Sequence, residues 1–178
     1  MAKPLSSARM RGIFAAFLAS FLLAACATTQ KPVYLERANV LPVQINDKFQ
    51  FRKQDLFFND PRNYVATVSE SMRFFRMRMN YGVVTPRDYD EVTGNYFTFF
   101  WWARERADVT VRLEYRQAAL ADYVMAQELY YPNAFGSFKS DFRVTGDEYL
   151  EHGRVTEWRV LLIVDGRIVA FRQSFMWK

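Results

Sequence analysis

The chain of 178 residues contains one cysteine and one histidine. A single thiol excludes any disulfide within the chain, so the fold must rest on its apolar core. A catalytic zinc site takes three protein ligands, commonly His or Cys, and one of each cannot assemble it. Nucleophilic catalysis with an imidazole base has only His152 to draw on. That residue stands between Glu151 and Gly153 in a stretch that reads as a turn, where histidine is ordinarily solvated. The seven glycines are scattered singly, which excludes a glycine-rich phosphate loop. No repeat with a period of about 20–50 residues and no low-complexity segment interrupts the chain.

Clustered carboxylates offer little more. Asp88, Asp90 and Glu91 share one polar segment that a hard cation such as calcium would suit, but the spacing of an EF-hand is absent. Asp147, Glu148 and Glu151 would supply a pair for glycoside hydrolysis. Neighbouring loop carboxylates are normally solvated, and nothing in the pattern implies burial that would raise one pKa. No cofactor or metal motif occurs, and the chain reads as non-catalytic.

Long apolar runs are also scarce, with one from Ile13 to Ala25 that only Ser20 interrupts. It is shorter than the roughly 20 residues of a spanning helix. Lys3, Arg9 and Arg11 precede it with no acid among them, the pattern of a secretory signal. These three carry three of the five net positive charges, so the remainder is close to neutral and argues for no nucleic-acid partner.

The run closes on Leu23-Ala24-Ala25-Cys26, which resembles the lipobox of bacterial lipoproteins. The resemblance implies cleavage before Cys26, a diacylglycerol thioether on its sulfur, and acylation of the new amino group by a chain such as palmitate. Residues 1–25 are then a signal peptide, 26–32 the lipidated cysteine and a short tether, and 33–178 one domain. Two or three acyl chains hold a protein at a bilayer where one is marginal. Ala27, rather than Asp, after the cysteine implies the outer membrane, with the domain facing the periplasm. An acylated Cys26 has no thiolate, which removes cysteine nucleophiles from consideration.

The domain itself is strand-rich. Phe75, Met77, Met79 and Tyr81 alternate with Arg76, Arg78 and Asn80, which predicts a strand with one cationic face. Residues 95–103 predict an aromatic strand, with Tyr96, Thr98, Phe100 and Trp102 on one face and Phe97, Phe99 and Trp101 on the other. Val109, Val111, Leu113 and Tyr115 alternate with polar residues in a further strand. The stretch 118–131 suits either helix or strand, with strand favoured from about Tyr123. Pro132 to Gly136 reads as a turn, and Phe138, Phe142 and Val144 mark the next strand. Asp165-Gly166 between two β-rich runs predicts a hairpin with a type I′ turn. The expected class is mainly β: a single antiparallel β-sandwich, immunoglobulin-like or similar, of seven to nine strands with little helix. The stretch from Gly153-Arg154-Val155-Thr156-Glu157-Trp158-Arg159 to Ser174-Phe175-Met176-Trp177 is similar to uncharacterised proteobacterial lipoproteins, a likeness over the last third that implies no activity.

Two features suit binding. The aromatic residues Tyr96, Phe97, Phe99, Trp101 and Trp102 form either a docking platform or core. The arginines Arg73, Arg76, Arg78, Arg112 and Arg116 form either a patch for phosphate or an acidic partner, or a solvated sheet face. The function expected is a membrane-anchored, non-catalytic binding or assembly module for another envelope protein. The alternative is a glycan- or lipid-binding lipoprotein.

Overall fold

The computed structural model describes residues 30–35, 38–63 and 69–178. The signal stretch and the lipobox with Cys26 lie outside the described residues. The elements are β1 (Val33–Leu35), β2 (Phe49–Asn59), α1 (Glu70–Met79), α2 (Pro86–Val92), β3 (Gly94–Gln117), β4 (Met125–Thr145), α3 (Asp147–His152), β5 (Val155–Val164) and β6 (Arg167–Gln173). Among the described residues no helix is long and apolar enough to cross a membrane. The six strands form one antiparallel sheet in the order β1-β4-β3-β5-β6, with β2 also on β3.

The β3–β4 hairpin determines the shape. β4 follows β3 along one edge for nearly its whole length, whereas the other edge serves two partners: β2 pairs with residues 94–103 and β5 with residues 110–117. Between these halves the register slips twice, at Ala103/Ala107 and Ala107/Val109. Extra residues bend and twist a strand locally. On β4 the same place carries Asn133 at φ 49° and Gly136 at φ 93°, the second an angle that only glycine adopts without strain.

The bend folds the hairpin in half. Gln127 and Arg143 are sixteen residues apart on β4, yet the Gln127 amide donates to the Arg143 carbonyl at 3.0 Å. A straight strand would separate them by about 50 Å. Likewise the Asn95 side chain at the start of β3 accepts from the Val155 N–H at 3.1 Å, and Val155 pairs with Gln117 at the end of β3. The two ends of β3 therefore meet, with the bend at the far end of the domain. Trp158 of β5 contacts Phe97 and Phe99 across the fold, at centroid distances of 6.3 and 5.5 Å. One core fills the space between the halves: Phe49 and Phe51 of β2, the odd-numbered apolar residues of β3, Leu129, Phe142 and Val144 of β4, and Val160 and Leu162 of β5.

The mainly β, antiparallel class read from the sequence is what the chain adopts. Among the described residues the strands number six in one sheet, where the sequence suggests seven to nine in two. The difference lies at residues 104–108 and 132–136, where the pattern breaks as it would at a turn but the chain continues through as bent strands. The hairpin at Asp165-Gly166 is present, with both residues at positive φ (49° and 70°) as a type I′ turn needs. Residues 42–46 then run along β6, with Gln44 and Asn46 donating to the carbonyls of Ile168 and Val169 at 2.9 Å.

One strand expected from the sequence is a helix. Residues 70–79 form α1, because Ser69 caps its start by accepting from the Met72 N–H, Glu70 lies in the first turn, and Arg76 and Arg78 lie in the last. Each charge complements the helix dipole at its own end. Asp88, Asp90 and Glu91, expected in a loop, lie on α2, whose Thr85 and Asp88 form a reciprocal capping box on either side of Pro86.

Candidate docking surface

Strand alternation divides the aromatic residues of β3 cleanly. Phe97, Phe99 and Trp101 are 3%, 0% and 1% exposed, so these three expected binding residues are core. Trp101 stacks on Phe138 at 4.6 Å, meets Tyr131 edge-on at 5.2 Å, and donates from Nε1 to Ser140 Oγ at 2.9 Å. Tyr96, Phe100 and Trp102 point the other way and are half-buried. Burial raises the Tyr96 phenol above its ordinary pKa, and its hydroxyl donates to the Val92 carbonyl at 2.8 Å.

The register places cations around the outward rings. Phe100 pairs with Lys53 on β2 and Lys139 on β4, and Trp102 with Gln50 and Ser137. Arg52, the extra residue of the β2 bulge, brings its guanidinium 4.6 Å from the Trp102 centroid, and Arg104 lies 4.8 Å from it. Lys53 lies 5.6 Å from the Phe100 centroid. Cation–π attraction accounts for this arrangement. Against Arg52, Lys53, Arg104, Lys139 and Arg143, this face sets the carboxylates Asp55 and Asp141. Asp55 binds Lys53 at 2.9 Å, and Asp141 binds Lys139 at 2.8 Å and Thr98 at 2.6 Å. The surface is an aromatic strip with a surplus of positive charge.

A sheet edge borders the strip. Among the described residues, β1 pairs with β4 only at Ala126 to Glu128, and no strand joins the outer edge of β4 from Ser137 to Thr145. The fold covers part of this edge with its own side chains. Gln127 donates to the Arg143 carbonyl, and the Tyr131 hydroxyl to that of Lys139 at 3.2 Å. By strand alternation the backbone groups of Ser137, Asp141 and Thr145 face the same way. Lys139, Asp141 and Arg143 put alternating charge along the edge, which discourages indiscriminate pairing.

The expected arginine row does not assemble. Arg76 and Arg78 lie on the helix α1 rather than on a strand. Arg112 is 7% exposed and belongs to an internal quartet: it binds Glu128 at 2.6 Å, approaches Glu114 at 3.6 Å and donates to the Asn39 carbonyl at 2.9 Å, while Arg159 binds Glu114 at 2.7 Å. Above Glu114 and Arg159 opens a cleft of about 820 Å³, walled by Leu35, Tyr123 and Met125. Arg116 binds Glu157 at 2.7 Å, and Arg116 and Arg159 both lie over the ring of Trp177, at 5.0 and 4.9 Å.

The acidic candidates are also engaged within the fold. Asp88 is held below the ordinary carboxylate range by the N–H groups of Thr85 and Val84. Asp90 binds Arg62 at 2.7 Å and Glu91 binds Arg87 at 3.3 Å. Glu148 accepts from the Tyr115 hydroxyl. Burial, followed by the Glu148 charge, pushes Tyr34 up to about 12, and the same influences raise Tyr115. Among the described residues no three His, Cys, Asp or Glu side chains gather as a metal site.

Sequence reasoning found Tyr96 and Trp102 but missed Arg52, Lys53, Arg104 and Lys139. Their meeting depends on strand register, including a bulge, and no local pattern announces it. Comparison with known protein families, with curated proteins and with solved structures finds no match to this chain.

Proposed function

We propose that this chain is a lipid-anchored envelope protein that acts as a non-catalytic docking module for another envelope protein. The anchor follows from the lipobox resemblance at Cys26, and the outer membrane from Ala27. The observation that carries docking is the outer face of β3, where half-buried Trp102 has Arg52 and Arg104 over its ring, beside an edge of β4 that no described strand joins. Aromatic and arginine side chains together dominate binding energy at protein interfaces. An exposed edge accepts an added strand through backbone hydrogen bonds, and adjoining pockets choose its side chains. The surplus of cations suits a partner segment rich in carboxylates. A glycan would stack on the ring of Trp102, where two guanidiniums 4.6 and 4.8 Å from the centroid already compete for it, which favours the protein partner.

A photo-crosslinking residue placed at Lys139, and another at Glu105 beyond the strip, tests the proposal in the full-length lipoprotein within its envelope. One protein adduct at residue 139, absent at 105 and lost with Trp102→Ala, supports it. Glycan or lipid adducts at residue 139 would replace it with the ligand-binding alternative. An empty crosslink at residue 139 would end the docking proposal.

A further inference from the structure

We infer that the solvent face of α1 docks on an anionic lipid bilayer. The helix is held to the sheet by its inner face and its end. Phe75 lies 6.4 Å from Phe57 of β2, and Asn80 at the C-cap accepts from Asn59 at 2.8 Å. The opposite face is apolar where a surface helix is normally polar. Phe74 and Met77 are 56% and 65% exposed, and Tyr81 beyond the helix is 88% exposed. The spacing of three residues keeps Phe74 and Met77 on one side of the helix. At about 100° per residue, Arg73 flanks the stripe on the Met77 side and Arg78 on the Phe74 side. Glu70, the one acid within α1, lies one turn before Phe74 on the same side, at the N-terminal end of the stripe. An apolar stripe between arginines suits a helix lying in the bilayer interface, with its rings among the acyl chains and its guanidiniums at the phosphates.

The place where the chain enters the domain supports the same occupant. Asn59 ties the ends of α1 and α2 to the end of β2, donating to Asn80 and to the Val92 carbonyl at 2.9 Å. α2 packs on α3, and Glu148 of α3 meets Tyr34 of β1. The three helices and the entry at β1 therefore share one end of the domain, opposite the bend in β3. Val33 follows Cys26 by seven residues, a chain that extends to about 25 Å at most. A lipid on Cys26 keeps this end close to the bilayer. To that extent the inference rests on the anchoring proposed above.

The test uses the full-length lipoprotein in vesicles of phosphatidylethanolamine and phosphatidylglycerol. An environment-sensitive fluorophore is attached at Met77→Cys, with Glu105→Cys at the distant bend as the control. The protein's mass reports the diacylglycerol thioether on Cys26 independently of the fluorophore. With the lipid present, the inference expects residue 77 to be blue-shifted and quenched by spin-labelled lipid, and residue 105 to remain in water. Each of Arg73→Gln and Arg78→Gln should lower the ratio of shielded to free label about fivefold. Residue 77 as wet as residue 105 overturns the inference and leaves the anchor standing. Shielding that is equal on phosphatidylcholine vesicles, or that appears only in the native envelope, overturns it in favour of apolar burial alone or of a protein cover. A chain without the lipid mass overturns the anchor and the inference with it.

Discussion

Replacing the adjacent tryptophans one at a time separates core from surface. Trp101→Ala removes a ring stacked on Phe138 and set against Tyr131, and leaves Ser140 without the indole N–H. Truncating a buried tryptophan costs about 3–5 kcal/mol, from a total of about 5–15 kcal/mol for a domain of this kind. At about 2–4 °C per kcal/mol for a chain of this size, melting should fall by roughly 6–20 °C. Trp102→Ala loses two exposed cation–π contacts of about 0.5–1 kcal/mol each, so its cost stays at or below ~2 kcal/mol. Urea unfolding of the purified protein, followed by far-ultraviolet circular dichroism so that the lost fluorophore does not matter, measures both. Partner capture at residue 139 should vanish in Trp102→Ala while that variant remains folded. Equal destabilisation by the two substitutions would refute the assignment of faces.

Arg112→Met should cost about 3–5 kcal/mol, because Glu128 and Glu114 lose the guanidinium between them in a buried setting; an unchanged urea midpoint would show the quartet to be dispensable. Alkaline stability should fall between pH ~10 and about 12. Partial burial and Glu148 raise Tyr34 to about 12 and burial raises Tyr115, whereas unfolded phenols ionise near 10. A raised native pKa favours the neutral phenol in the folded state, so its contribution is complete below pH ~10 and is lost as pH climbs through the native value. Urea midpoints across this range should fall less steeply in Tyr115→Phe, and a parallel fall would exclude that tyrosine. Thr85→Ala breaks the capping box and should destabilise α2 by about 0.5–2 kcal/mol, seen as faster hydrogen exchange over residues 86–92.

What the sequence discloses is what local spacing controls. Asp165-Gly166 predicts its hairpin because both residues accept positive φ, and the alternation from Val109 to Tyr115 predicts its strand. Residues 75–81 mislead because Phe75 and Met79 are four apart and two apart in steps of two: the same residues satisfy both periods, and the decisive cap at Ser69 lies before the run. Pro132 to Gly136 misleads for a different reason. Asn133 and Gly136 carry the backbone angles of a turn, but they bend a strand that keeps its partner on both sides of the bend. The docking strip is legible only in part. Trp102 and Phe100 show their common face by parity, whereas Arg52 and Lys139 reach them through register across three strands.

The two proposed surfaces constrain one another through the fold-back of β3. Its ends meet beside the helices, as Asn95 and Val155 require, and its bend lies farthest from them. The aromatic strip starts at Tyr96, whose hydroxyl binds the end of α2, and reaches Trp102 just before the bend. Six residues of strand span about 20 Å. A domain resting on lipid through α1 would therefore hold Tyr96 near the headgroups and carry Trp102, with Arg52 and Arg104, about 20 Å farther along the strand. Arginines that far from the phosphates lie more than two Debye lengths away at physiological salt, where the lipid's charge is screened. They would remain free to meet a carboxylate-bearing partner, while Arg73 and Arg78 would contact lipid. Quenching by spin-labelled lipid should consequently be strong for a label at residue 77 and weak for one at residue 104. Equal quenching at both would mean that the sheet face itself lies on the bilayer, and would remove the basis for a protein partner at Trp102.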